Sequence, residues 1–235
     1  MVEQGRRRVI IYGKQDVGET PPIAANTLFE VGSVTKVFTA LLLAEMVQRK
    51  ELSFDDPVER YLPKGFRAPQ RNGRVITLAQ LANHTSALPY FPFNPITTPK
   101  PLEVLARYSN ADLRTWLADL TLSRDPGAQW EYSNVGYGIL GLALVTKAGT
   151  TFEDLLHARV LRPLGLKDTT FHPSGEALTR LAAGHDAQLA PVGPINLGIF
   201  APAGASAPPP RICWVFLPPC SRIQARRWKH PRSRS

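Results

Sequence analysis

The chain has little cysteine: two residues in 235, Cys213 and Cys220, both within the last 30 positions. A disulfide-built scaffold is therefore excluded, and that spacing is weak ground for a bridge and weaker for a metal site. No run of about 18 or more uncharged apolar residues occurs, so no transmembrane helix is read. The opening "MVEQGRRRVIIYG" has an apolar stretch too short for a signal peptide and no small-residue cleavage site after it. No export signal is read, and localisation stays open. Acidic residues are absent from 206–235, which holds seven Lys and Arg; the preceding 205 residues hold 21 Lys and Arg against 19 Asp and Glu. The net charge of +9 thus belongs to a tail. A basic nucleic-acid groove on a folded face is not expected.

What is present is an ordinary globular composition, 43% hydrophobic and 20% charged. Residues 8–12, "RVIIY", read as a strand. From Ser33 to about Lys50, apolar residues fall at 37, 38, 41, 42, 43, 46 and 47, the period of a helix with a wide buried face. "LSFDDPVERYLP" reads as a turn or short helix start around Pro57, and "ITLAQLANHTSALP" as a short helix capped by Thr77. Residues 89–101 form a proline- and aromatic-rich irregular loop. Further helices are expected at "NADLRTWLADL", at the glycine-containing "VGYGILGLALVTKAG", whose glycines point to close packing, and at "TFEDLLHARVLRPLGL", capped near Thr151. From about residue 200 the periodicity ends, proline rises, and a disordered tail is expected.

Two stretches carry chemistry. In "GSVTK", Ser33 and Lys36 are three residues apart, and residues i and i+3 share a helix face. Serine needs a neighbouring base to become a nucleophile. A helix start also turns backbone N–H groups and the positive dipole end toward Ser33, which is expected to act as cap and nucleophile at once. The plainer alternative is a capping serine with a solvated first-turn lysine. In "EYSNVGYG", Tyr132 and Asn134 precede a buried helix. A tyrosine beside a cation can move protons, and an asparagine can hold a substrate amide with donor and acceptor together. Alone, these are equally a half-buried tyrosine and a helix cap.

Four motifs occur in one order: "FEVGSVTKVFTALLLAEMV", "SFDDPVERYLP", "ITLAQLANHTSALP" and "PGAQWEYSNVGYGILG". Together they resemble the serine hydrolase family of class C β-lactamases and their penicillin-binding relatives, over residues 8 to about 205. The resemblance implies an α/β (α+β) fold of the β-lactamase/transpeptidase type, a helical region packed on an antiparallel sheet. It implies Ser33 as the acylated nucleophile, Lys36 and Tyr132 sharing proton transfer, and Asn134 as the substrate-binding residue. The Ser33 backbone N–H would be one oxyanion donor. It implies no cofactor and no metal. The partner is a small-molecule substrate, whether β-lactam, D-Ala peptide or ester, with no nucleic acid and no membrane span; oligomeric state is not read. "NHTSALP" matches the family loop His-Thr-Ser-Gly-Leu-Pro with Ala87 in the glycine place, where a positive φ would strain alanine. His84 and Ser86 are read as structural. His157, on a helix, and His172 and His185, in loops, are given no role.

The family's third motif, Lys-Thr-Gly or His-x-Gly on a late strand, does not follow residue 141. The expectation is a partial hydrolase domain over 1–205, lacking the late strands, with weak or no turnover. The segment 206–235 is expected to be an out-of-frame tail. Read one base earlier, "SAPPPRICWVFLPPCSR" can encode "LRSTAADMLGFLAAMQS". Some of this is forced: Cys213–Trp214 always yields leucine in that frame, and Trp214–Val215 always yields glycine. The gene's nucleotide sequence decides it. Two other readings are a penicillin-recognising protein without turnover and, last, a nucleic-acid or membrane-surface binder acting through the tail.

Overall fold

The computed structural model describes residues 10–204 apart from 19, 172 and 194, with the backbone of short strands at 2–3, 6–7 and 213–214. At its centre lies α5, Asn134–Ala148, whose residues from Asn134 through Gly141 are all buried. Sequence explains both ends. The Ser133 hydroxyl accepts the Gly136 N–H at 2.8 Å, a cap worth about 1 kcal/mol, and Gly149 closes the helix at φ 68°. The cap is Ser133, and Asn134 is the first helical residue.

Helix α1, Thr35–Gln48, packs beside it. Phe38, Thr39, Leu42, Leu43 and Met46 form its buried stripe. Val34, Val37 and Leu41 stay exposed, so the buried face is narrower than the periodicity predicts. Short helices surround this pair. In α2, Leu78–Ala82, Thr77 and Gln80 form a reciprocal capping box. Helix α3, Pro101–Arg107, follows the irregular loop, and Ser109 with Asp112 caps α4, Asn110–Asp119, in the same way. The helix predicted over 151–166 starts at Thr151 as expected, but α6 spans only Phe152–Leu156 before a wider π turn over His157–Leu161. The last α-helix among the described residues is α7, Glu176–Thr179.

Among the described residues the strands form three antiparallel pairs, each of two-residue strands. These are β1 (Val2–Glu3) with β2 (Arg6–Arg7), β3 (Phe29–Glu30) with β6 (Cys213–Trp214), and β4 (Gly184–His185) with β5 (Pro191–Val192). The strand expected at 8–12 is not found at Ile10, Ile11 and Tyr12, which lie outside any strand and are exposed; residues 8 and 9 fall outside the described residues. A short apolar run does not by itself hold a strand that has no paired neighbour among the described residues. The disordered tail expected from about residue 200 does not begin there, since Phe200, Pro202 and Ala203 are buried in a turn; further on, Phe29 lies opposite Trp214 and Glu30 opposite Cys213. The rest of 205–235, Cys220 included, lies outside the described residues.

One irregular segment positions the site. The turn Gly198–Ala203 buries Phe200, Pro202 and Ala203 between α5 and α1. It can do so because α5 offers glycines there. A Cβ at Gly138 would lie 2.4 Å from Phe200 Cδ1, and one at Gly141 would lie 2.1 Å from Pro202 Cγ. The predicted role of these glycines as close-packing positions is what the structure shows.

Candidate active site

Ser33 sits in a tight turn, Gly32–Val34, directly before α1. It does not cap the helix: the cap position of α1 is Val34, with no side-chain cap bond. The 3-10 turn already carries the chain into helical geometry, so the Ser33 hydroxyl is free to face outward. The neighbouring Thr35 hydroxyl donates to the Gly32 carbonyl at 2.7 Å and braces the turn. Ser33 itself is exposed.

The four residues singled out from the sequence come together. Tyr132 OH lies 2.7 Å from Ser33 Oγ, and Lys36 Nζ lies 3.2 Å from the same oxygen. Lys36 Nζ also donates to Asn134 Oδ1 at 2.8 Å. The ammonium sits 4.7 Å from the centroid of the Tyr132 ring. Residues almost 100 positions apart in sequence thus share one oxygen.

Lys36 is only 5% exposed. Burial disfavours its charge and lowers its pKa from 10.5 to about 8. A third acceptor was missed by sequence reasoning: the backbone carbonyl of Ala203 takes a short hydrogen bond from Lys36 Nζ. The turn that supplies it is held to α1 by the Thr39 hydroxyl, which donates to the Pro202 carbonyl at 2.8 Å. Nothing about an alanine carbonyl can be read from a sequence; the only signal was the pair of glycines in α5 that admits the turn.

The Tyr132–Asn134 segment is braced by the loop after α2. The Ser133 hydroxyl donates to Pro89 O at 2.7 Å, the Asn134 N–H to Tyr90 O at 3.1 Å, and the Glu131 N–H to His84 O at 2.8 Å. Ala87 has φ 63°, the left-handed conformation anticipated for that position, and is buried. His185 is placed away from this cluster, with its Nε2 2.8 Å from Asp16 Oδ1. His157 lies in the π turn after α6, and His172 falls outside the described residues.

Chemically, the arrangement offers a hydroxyl in contact with both an amine of lowered basicity and a phenol, with an amide side chain beside them. That set can deliver a serine oxygen to a carbonyl carbon and carry its proton onward.

Comparison with known proteins follows the same line. The Beta-lactamase family profile matches residues 1–207. The D-alanyl-D-alanine-carboxypeptidase/endopeptidase AmpH of Escherichia coli K12 is 33% identical over 183 residues, which cover 77% of this chain and 46% of that protein. A beta-lactamase of the same organism is 32% identical over 72% of this chain and 41% of its own length. Among solved structures, a beta-lactamase/D-alanine carboxypeptidase from Yersinia pestis, complexed with citrate, superposes with a TM-score of 0.70 at 29% identity, covering 86% of this chain and 54% of that one. A class C beta-lactamase in complex with cefoxitin gives a TM-score of 0.72 at 25% identity over 86% of this chain and 53% of its own. The chain spans about half the length of these relatives.

Proposed function

The chain belongs to the beta-lactamase family, and from that premise we propose that it is a serine hydrolase that opens β-lactams or related D-alanyl amides and esters through an acyl-enzyme on Ser33. The observation that carries this reading is the contact of Ser33 Oγ with Lys36 Nζ at 3.2 Å and with Tyr132 OH at 2.7 Å, where the lysine is poised near pH 8.

In the proposed reaction, Lys36 in its neutral form takes the proton from the Ser33 hydroxyl. The Oγ–carbonyl bond forms as the pair shifts to the carbonyl oxygen, which is stabilised by the Ser33 backbone N–H. Collapse breaks the C–N bond, or the C–O bond of an ester. The leaving group takes the proton held by Lys36, relayed through Tyr132 OH. Asn134 holds the substrate amide on one side and fixes Lys36 on the other. For release, a water gives its proton to the same pair and attacks the ester carbon, and Ser33 regains its hydrogen. Residues 1–205 are read as the part of a larger hydrolase domain that carries these groups.

A second reading, acylation with slow or no release, is an outcome of the same test. Wild type and Ser33→Ala are to be compared with a chromogenic cephalosporin, a D-Ala-D-Ala peptide and a p-nitrophenyl ester. Hydrolysis of any by wild type alone supports the enzyme reading and names the substrate class. A fluorescent penicillin that labels Ser33 without release supports the second. Equal behaviour of both proteins towards all four reagents removes both.

A further inference from the structure

His84 takes no part in the proton transfers above, yet its ring and its carbonyl both touch the segment that carries Tyr132. It sits in the left-handed region at φ 63°, a conformation that costs most residues about 1–2 kcal/mol. The strain places its ring in the site. The imidazole stacks on the Tyr132 ring, centroids 4.5 Å apart and planes 29° from parallel. Its Nδ1 accepts the Ser133 N–H at 3.1 Å. Its carbonyl accepts the Glu131 N–H. One residue therefore grips the backbone on both sides of Tyr132 and the tyrosine ring itself.

We propose that His84 is the positioning residue of the site: its neutral imidazole, accepting the Ser133 N–H at Nδ1 and stacking on Tyr132, holds the phenol against Ser33 and the Asn134 amide against Lys36. The inference rests on the acylating role of Ser33 for its kinetic arm only.

The chemistry requires one protonation state. An imidazole that accepts at Nδ1 carries its hydrogen on Nε2. Protonation puts a second N–H at Nδ1, facing the Ser133 N–H donor to donor, and the grip is lost. The surroundings oppose that protonation. Lys36 approaches from α1, Tyr137 from α5 with its ring 5.1 Å away, and Trp130 and Tyr132 from the loop before α5. The Glu131 carboxylate is paired with Arg124. Burial first, and the Lys36 charge second, hold the His84 pKa below its ordinary 6.5. The grip is therefore set at neutral pH and fails on acidification.

The replacements separate grip from scaffold. Asparagine tolerates the left-handed region and can place its Oδ1 near the Nδ1 position, but does not titrate. Phenylalanine keeps the ring and leaves the buried Ser133 N–H without an acceptor. On the full chain, imidazole ¹⁵N NMR of wild type is expected to show unprotonated Nδ1 and protonated Nε2 at pH 7. Below the imidazole's lowered pKa the Tyr132 ring signals, assigned with Tyr132→Phe, are expected to move together with it. In fluorescent-penicillin labelling, the log rate of wild type is expected to fall with slope one below pH 8 and to steepen to slope two in the acid range. H84N keeps slope one throughout with a rate within about tenfold of wild type. H84F loses about 10²-fold at every pH, the scale set by an ångström of misplacement, with its melting temperature recorded beside the rate. Protonated Nδ1 at pH 7, Tyr132 signals that ignore the imidazole titration, or H84F labelling at the wild-type rate would each overturn the proposal. Should no reagent label Ser33 in wild type, the acylating reading fails while the two NMR readouts still decide His84.

Discussion

Lys36 is a lysine whose environment has been chosen for it by the fold. It was legible as a candidate from "GSVTK", but its basicity was not, because the burial that lowers it is made by segments distant in sequence, among them the turn ending at Ala203, 167 positions away. The lowered pKa has two consequences with the same sign. Between pH 8 and the ordinary 10.5 the unfolded chain binds the proton and the folded chain does not, so stability rises with pH across that window and is level below it. Lys36→Met is expected to abolish this rise; the difference between the two proteins in urea unfolding, measured at pH 7.5 and pH 10, checks it. The same variant is expected to slow acylation about 10²–10⁴-fold, the usual worth of a positioned base.

Ala87 gives a second test at this scale. Its left-handed φ costs about 1–2 kcal/mol, and its buried methyl returns about 0.8 kcal/mol. Ala87→Gly is therefore expected to change stability by no more than about 1 kcal/mol, toward greater stability. Ala143→Gly, buried inside α5, meets no such compensation. It is expected to cost about 2 kcal/mol from helix propensity and lost burial together. Urea midpoints of the two variants compare them.

Elements were legible where a local signal sets them. Thr77 and Thr151 announce helix starts because the cap is made within three positions of the capping residue. The reading of Ser33 as a cap failed because a tight turn before α1 does that work through backbone geometry, which no side-chain pattern advertises. The strand expected at 8–12 failed at residues 10–12 for a different reason: pairing is a property of two segments. The turn 198–203 was invisible as an element, yet it carries the Lys36 acceptor. Its fit can be tested through α5. Gly141→Ala gains about 1 kcal/mol of helix propensity but drives a methyl into Pro202, an overpacking cost of about 1–3 kcal/mol. The expected result is net destabilisation, with the midpoint of the acylation pH profile rising from 8 as Ala203 moves off and Lys36 becomes wetter. A pH–rate series on the variant, alongside its melting temperature, measures both.

At the scale of the whole molecule, the fold class was legible and the proportions of the sheet were not. Four motifs in order carried the family, and the helical region that holds them is packed as they imply. The sheet side amounts to short pairs among the described residues. Val34, next to Ser33, is exposed with Val37 and Leu41 of α1, while Phe54 and Leu164 line an adjoining apolar groove of about 470 Å³ with Leu41. Such a surface binds apolar dyes. Val37→Ser with Leu41→Gln is expected to reduce anilinonaphthalene sulfonate fluorescence several-fold while changing stability by less than about 0.5 kcal/mol per site, the ordinary range for exposed positions.

The central claim is that Ser33 acylates with Lys36 as its base, and one experiment reaches both halves. The full chain is incubated with a penicillin across pH 6 to 9, and intact and peptide mass are read against time. The expected result is an adduct of one penicillin on the peptide containing Ser33, absent in Ser33→Ala, forming about tenfold faster per pH unit up to a plateau near pH 8. An adduct that persists in Ser33→Ala, or a rate that ignores pH across that range, would contradict it.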